Sequence, residues 1–182
     1  MKTLKLGLPK GSLQEPTFDI LKKAGYRISL GERSYFPSID DPEIECLLIR
    51  AQEIGHYVED SVLDVGITGQ DWIREYNSDV AEIVELKYAR GGFVPVRWVV
   101  AVPKDSDITE LDQLEGKRIA TELVSFSTRY FKEKGIEAKF EFSWGATEAK
   151  PPELADAIVE ATVTGSSLRA NNLRIIKTIL ES

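Results

Sequence analysis

Histidine and cysteine are almost missing from this sequence: His56 and Cys46 are the sole representatives in 182 residues. One histidine excludes multi-histidine metal sites and argues against a His-dependent nucleophilic triad. One cysteine excludes an internal disulfide and fits a reducing compartment. No run of 18 or more apolar residues exists, so nothing here reads as a membrane-spanning helix. The basic start MKTLKLGLPKGS is interrupted by Lys5, Pro9 and Lys10 before a signal-peptide core can form, so the expectation is a mature, cytoplasmic start. Positive charge is also short, with 23 Lys and Arg against 30 Asp and Glu, a net charge of −7. That balance argues against a nucleic-acid-coating surface, although a few focused cations can still dominate the field around a small anionic ligand. An enzyme with this inventory needs chemistry that moves few protons through imidazole.

What is present is a soluble globular composition, 42% apolar and 29% charged, long enough for one domain or two small lobes. Short apolar runs alternate with amphipathic stretches, the pattern of an α/β protein. LKLGLP (4–9) reads as a buried first strand, followed by a helix with Leu13, Ile20, Leu21 and Ala24 on one face and Gly25 at its C-terminal cap. IECLLI (44–49) reads as a strand leading into a helix through AQEIGHYVEDSV. LDVGIT (63–68) reads as another buried strand before a short helix from Gln70, and VAEIVEL (80–86) alternates as a strand would. A second unit begins near Gly91–Gly92. VRWVVAVP (96–103), KRIAT (117–121), KFEFSW (139–144) and DAIVEAT (156–162) read as its strands, and SFSTRYFKEKG (125–135) as a helix capped by Ser125. LRIIKTIL (173–180) reads as a last strand returning to the first unit. The expectation is two α/β lobes, 1–92 plus 173–182 and 93–172, resembling the type II periplasmic-binding-protein fold with an active site in the cleft.

Three strand-end turns carry chemistry suited to phosphate. In EATVTGSSLRANN (160–172), Thr164, Gly165, Ser166 and Ser167 gather backbone N–H groups and three hydroxyls around one small volume before a helix start. Taken alone, this turn is equally compatible with a plain capping loop. Asp156 and Glu160, four residues apart on a strand and so on one face, sharpen it. A carboxylate a few ångströms beyond a bound phosphate can accept hydrogen bonds from a sugar diol, which suits a ribose 5-phosphate; the alternative is that either carboxylate caps the loop or faces solvent. LPKGSL (8–13) places Lys10 and the amides near Gly11 at the carboxyl end of the first strand, where open α/β sheets bind ligands. It lacks the glycine and lysine spacing of a P-loop. GITGQD (66–71) offers Thr68 and Gly69 in a third such turn. Together the three suggest a ligand with phosphate at both ends.

With these residues assembled, the chain resembles the ATP phosphoribosyltransferase family along essentially its whole length. ADAIVEATVTGSSLRANNL (155–173) is similar to the family signature A-D-A-I-V-D…T-G-x-T-L-x-A-N-x-L, while LPKGSL, IRAQEI around Arg50, DVGITGQD (64–71) and KRIATE (117–122) match further blocks in order. Ser167 stands where threonine is common, and Glu160 where aspartate is common; both keep the functional group. The resemblance implies the first reaction of histidine biosynthesis, in which adenine N1 of ATP attacks phosphoribosyl pyrophosphate (PRPP), with Mg²⁺ required. It implies that Thr164, Gly165, Ser166, Ser167 and Leu168 hold the 5-phosphate, and that Glu160 and Asp156 serve the ribose hydroxyls. Lys10, Gly11, Arg33, Arg50, Thr68 and Gly69 would handle pyrophosphate or ATP phosphates, Glu148 in GATEAK would lie near the site, and Mg²⁺ would be carried by substrate phosphates rather than by protein ligands. Glu160, Lys10 and Arg50 are the residues expected to take part in catalysis. The residue inventory agrees with that chemistry, since adenine N1 already has a lone pair and the leaving group needs no strong acid, so positioning and fixed charge remain as the task.

The family forms dimers and hexamers, so a homo-oligomer is expected. The GATE and RANNLRII wording is that of the long form, which continues into a histidine-binding regulatory domain. The expectation is a catalytic core without that domain, insensitive to histidine; the alternative is a short form that pairs with a separate regulatory subunit. A non-catalytic two-lobed binding protein is the main competing class. It would call for a secretion signal and has no need of carboxylates beside a phosphate loop.

Overall fold

The apolar run after Thr3 forms β1 (Leu4–Lys10), whose Leu6–Pro9 stretch is buried. The computed structural model describes residues 3–86, 88 and 96–182, and the chain divides into two compact units, Met1–Val94 and Pro95–Ser182. In the first, β1 leads to α1 (Gln14–Lys23), a pair of two-residue strands β2 (Ile28–Ser29) and β3 (Ser38–Ile39), β4 (Ile44–Arg50), α2 (Ala51–Glu59), β5 (Val65–Gly66) and α3 (Gln70–Tyr76). The sheet order is β4-β1-β5, all parallel, with Leu4 to Lys10 paired in register with Ile44 to Arg50. Leu6, Leu8, Phe18, Ile28, Cys46 and Leu48 form its core. Each fully buried leucine there contributes about 1.5–3 kcal/mol.

α1 turns Leu21 to this core as expected, with the buried stripe shifted toward Phe18 and away from Ala24. Thr17 and Phe18 are its buried residues, Ile20 and Leu21 are half-buried and Ala24 is exposed. The Thr17 hydroxyl bonds the Leu13 carbonyl and the Tyr88 hydroxyl, each at 2.7 Å, which satisfies it inside the packing. The strand expected over 63–68 shrinks to Val65–Gly66, half-buried, because β1 offers it only Leu6 and Gly7 as ladder partners. Close packing explains Gly66: a Cβ there would overlap the Ile54 side chain of α2, and Ile54 is 1% exposed. The alternating segment 80–86 forms no strand; Ile83 is 80% and Val84 71% exposed. Alternation makes a strand only where a neighbouring strand supplies backbone partners, and none does here among the described residues.

The second unit contains β6 (Arg97–Pro103), a 3-10 turn at Leu111–Leu114, β7 (Arg118–Thr121), α4 (Val124–Glu133), β8 (Lys139–Phe142), a 3-10 turn at Thr147–Ala149, β9 (Ala157–Thr162), α5 (Ser166–Ala170) and β10 (Leu173–Glu181). Its sheet runs β10-β6-β9-β7-β8. β7 is parallel to β8 and β9, whereas β6 is antiparallel to both β9 and β10. Val99, Ala101, Ala120, Ala155, Ile158, Leu168 and Leu173 close into one apolar cluster.

Two expectations change in this unit. The last strand does not return to the first unit: β10 pairs with β6, from Leu173 opposite Pro103 to Glu181 opposite Arg97, so 173–182 belongs with Pro95–Ser182. Buried Leu173 and the long apolar β6 decide that pairing. Beyond it, the Val96 and Ser182 amides exchange backbone bonds at 2.9 and 2.8 Å. Ser125 does not cap α4; the helix starts one residue earlier, after Leu123, whose N–H is taken by the Thr121 hydroxyl at 3.0 Å. The boundary expected at Gly91–Gly92 lies outside the described residues.

Asp156 joins β7 to the start of β9. One of its carboxylate oxygens accepts the Arg118 N–H at 2.8 Å and lies 3.8 Å from the Arg118 Nε, while its own N–H bonds the Arg118 carbonyl at 2.9 Å. Asp156→Ala is expected to lower stability by roughly 1–2 kcal/mol, the cost of losing a charge-assisted bond and exposing an unpaired amide. Urea denaturation of the variant beside the wild type measures this, and an unchanged midpoint would remove the anchoring role.

Candidate active site

In the second unit the site begins with strand register. Thr121 of β7 pairs with Phe142 of β8 on one side and Val159 of β9 on the other. One residue further along, Glu122, Ser143 and Glu160 therefore stand level, the first two just past the ends of β7 and β8 and the third toward the carboxyl end of β9, about 4.8 Å from strand to strand. This is the edge at which open α/β sheets receive ligands.

Glu160 is half-buried, with one carboxylate oxygen accepting the Ala161 N–H at 2.9 Å. Burial pushes its pKa above the ordinary 4.5, and the negative charges of Glu148 and Glu122 add to the rise; hydrogen bonds from the Thr147 hydroxyl and the Ala161 amide act in the opposite sense. Glu148 in turn accepts the Ser167 hydroxyl, which ties this carboxylate cluster to the 162–167 loop.

That loop is shaped by Gly165, whose φ of 72° lies in the left-handed region. Its N–H donates to the Thr162 hydroxyl at 2.8 Å, and the Ser166 N–H to the Thr164 hydroxyl at 3.3 Å. The Thr164 hydroxyl donates onward to Ser166 Oγ at 3.0 Å, and Arg169 Nη1 to the Thr164 carbonyl at 2.9 Å. Thr164, Ser166 and Ser167 are exposed; the first two hydroxyls hold each other in place, and that of Ser167 is held by Glu148. Leu168 is different: its side chain is 1% exposed in the apolar cluster, so it anchors the loop from beneath. Asp156 is not brought to this place. It precedes β9, four residues and about 13 Å of extended chain from Glu160, and its carboxylate is engaged by Arg118.

The first unit gathers the cations at its own strand ends. Lys10 and Arg50 are register partners at the carboxyl ends of β1 and β4. Lys10 Nζ donates to the Tyr35 hydroxyl at 3.2 Å and lies 4.3 Å from the centre of that ring. Gly11 follows with φ 102°, and a Cβ there would lie 3.9 Å from Arg50 Nη1. Arg33 is exposed in a turn with φ 58°, and the following Tyr35 fixes that segment by accepting the Leu48 N–H at 2.8 Å. None of the ion pairs found among the described residues engages Lys10, Arg33 or Arg50. Thr68 is already committed, its hydroxyl donating to the Ala51 carbonyl at 2.6 Å, and Gly69 opens α3 by accepting the Trp72 N–H at 3.2 Å. These two therefore position helices α2 and α3. His56 is exposed, with Nε2 3.4 Å from an Asp60 carboxylate oxygen.

Two residues escaped the sequence reading. Thr147 and Glu122 both act on Glu160, and the signal that finds them is their place in the loops that follow parallel strands β8 and β7, legible only once the strand order is known.

The fold class is that of the periplasmic binding proteins: the periplasmic aliphatic sulphonate binding protein SsuA from Escherichia coli aligns with a TM-score of 0.55 at 17% identity, over 98% of this chain and 57% of that one. At that identity the likeness concerns the fold alone. A chain of the ATP phosphoribosyl transferase (HisG:HisZ) complex from Thermotoga maritima aligns with a TM-score of 0.83 at 31% identity, over 98% of this chain and 84% of that one. The family model HisG, ATP phosphoribosyltransferase, matches residues 50–182. ATP phosphoribosyltransferases from Thermodesulfovibrio yellowstonii and Solibacter usitatus are 63% and 60% identical over 181 and 179 residues, which is 100% and 98% of this chain. The chain belongs to the ATP phosphoribosyltransferase family. It spans 62% of the length of those two relatives.

The raised pKa of Glu160 has a measurable consequence. Between 4.5 and its raised value, the folded chain holds a proton that the unfolded chain has released, so this group's contribution to stability is present at low pH and is lost as pH rises through that window. Glu160→Gln removes the dependence. The variant is expected to melt a few degrees above the wild type near pH 7, with the difference closing near pH 4; thermal melts at both pH values decide it.

Proposed function

We propose that this chain performs the phosphoribosyl transfer of its family. Adenine N1 of ATP attacks C1 of PRPP; the N1–C1 bond forms, the bond from C1 to the pyrophosphate oxygen breaks, and pyrophosphate leaves with the electron pair. The products are phosphoribosyl-ATP and pyrophosphate, the first step of histidine biosynthesis. The observation that carries this reading is the link from Glu160 to Thr147 and Glu148, and from Glu148 to the Ser167 hydroxyl, which sets a carboxylate beside the hydroxyl-rich loop.

In this reading the amides and hydroxyls of Thr164, Gly165, Ser166 and Ser167 hold the 5-phosphate, exchanging their bonds to one another, to Thr162 and to Glu148 for bonds to its oxygens. Glu160 accepts from the ribose hydroxyls and steadies the positive charge that develops on the sugar as the leaving group departs. Lys10, Arg50 and the Gly11 amide take the pyrophosphate or the ATP phosphates, with Arg33 as a further cation. Adenine N1 attacks through a free lone pair and has no proton to lose, so the step asks nothing of the exposed His56.

Mg²⁺ carried by the substrate phosphates would neutralise charge on the departing pyrophosphate. A homo-oligomer, or a complex with a second kind of subunit like that named for the Thermotoga maritima protein, belongs to the same proposal.

The test is an assay with ATP, PRPP, Mg²⁺ and pyrophosphatase, following product absorbance. Product formation is expected, and its absence from a folded chain that binds neither substrate would overturn the reading. Glu160→Gln is expected to lower kcat by roughly a hundredfold to a thousandfold, as for other single contacts to a charged transition state. Gly165→Ala places a Cβ at φ 72° and 3.0 Å from Arg169 Nη1. It is expected to cost about 1–2 kcal/mol of stability and to raise KM for PRPP; unchanged kinetics would take the loop out of the site.

A further inference from the structure

Arg169 holds two consecutive carbonyls of the 162–167 loop. Its backbone N–H bonds the Gly165 carbonyl at 3.1 Å, as any residue at that place in α5 would, and its Nη1 donates to the Thr164 carbonyl at 2.9 Å. Only the second bond depends on the arginine side chain. The guanidinium lies over the turn: a Cβ on Gly165 would stand 3.0 Å from Nη1 and 3.6 Å from Ile175 Cδ1. That cover accounts for a buried Gly165 between exposed Thr164 and exposed Ser166. None of the ion pairs found among the described residues draws Arg169 elsewhere.

Peptide geometry gives this bond an effect on the opposite side of the turn. The Thr164–Gly165 peptide is trans, so its C=O and N–H point in opposite directions within one plane. The carbonyl faces Arg169, and the N–H faces away from it toward the Thr162 hydroxyl, 2.8 Å distant. Glycine accepts positive and negative φ about equally, so the backbone of Gly165 does not by itself choose φ 72° over the flipped plane. Flipped, the plane would present a carbonyl acceptor where it now presents a donor, and phosphate oxygens accept but do not donate. Both ends of the plane are held in the free loop. Once the Gly165 N–H leaves Thr162 for a phosphate oxygen, the Arg169 bond still holds the carbonyl end.

We propose that Arg169 is a positioning residue for this loop: by holding the Thr164 carbonyl from behind, it keeps the Gly165 amide turned toward the 5-phosphate of the sugar substrate. It acts through the peptide plane and does not touch the phosphate. This rests on the phosphoribosyl-transfer reading, in which the loop receives that phosphate.

The test uses the full chain and the variant Arg169→Met, which keeps an aliphatic stem over Gly165 and loses the donor. Without ligand, hydrogen exchange at the Gly165 amide, followed by NMR, is expected to quicken several-fold. Calorimetric titration with ribose 5-phosphate is expected to show binding weakened roughly threefold to tenfold, the worth of one hydrogen bond. KM for PRPP is expected to rise in step while KM for ATP stays unchanged, and Arg169→Lys, which restores a donor, to recover most of the affinity. Because the side chain is exposed, both variants are expected to melt with the wild type. The affinity ratio is expected to persist at about 1 M salt, where screening acts within about 3 Å. Unchanged exchange at Gly165 in Arg169→Met would overturn the inference. A ratio that vanishes in high salt would overturn it equally, since the guanidinium would then act on the phosphate by its charge alone. A wild type that binds neither ribose 5-phosphate nor PRPP sinks the phosphoribosyl reading instead, and the exchange measurement still judges the clamp.

Discussion

Parallel pairing of β7 with both β8 and β9 brings three loops to one edge of the second sheet, and every proposed contact there depends on it. Side chains alternate along a strand, so a slip of one residue in β9 would turn Glu160 to the opposite face. Ile158 and Val159 prevent the slip, both fully buried and locked against β6 and β7. Exposing either would cost about 1.5–3 kcal/mol, more than a surface hydrogen bond could recover. The core thus sets the register, and the register sets which carboxylate meets which hydroxyl.

Charge is divided along similar lines. A chain of net charge −7 places Lys10 and Arg50 side by side at the strand ends of one unit, while the other unit carries Glu122, Glu148 and Glu160 around a hydroxyl loop. The first arrangement suits a polyanion and the second a sugar bearing hydroxyls and developing positive charge. Neither asks for an imidazole, which agrees with a sequence that has only one and leaves it exposed.

Most strands were legible because they are short apolar runs bounded by turn residues, and Gly165 because a small-residue turn after a strand advertises a tight reversal. The failures have physical causes. VAEIVEL has the alternation of a strand but finds no partner edge among the described residues, so Ile83 and Val84 remain exposed. LRIIKTIL was recognised as a strand and assigned to the wrong unit, because pairing partners are a tertiary property that periodicity does not encode. Asp156 shared the expected face with Glu160, but distance along the strand separates them, and Arg118, remote in sequence, claims its carboxylate. Thr147 and Glu122 could not be singled out from spacing alone, since their proximity to Glu160 arises from strand order.

The reciprocal bonds between Val96 and Ser182 have a topological consequence. They carry the antiparallel ladder of β6 and β10 one step past its last register pair, so the entry into β6 is clamped by the far end of β10 and the two cannot fray independently.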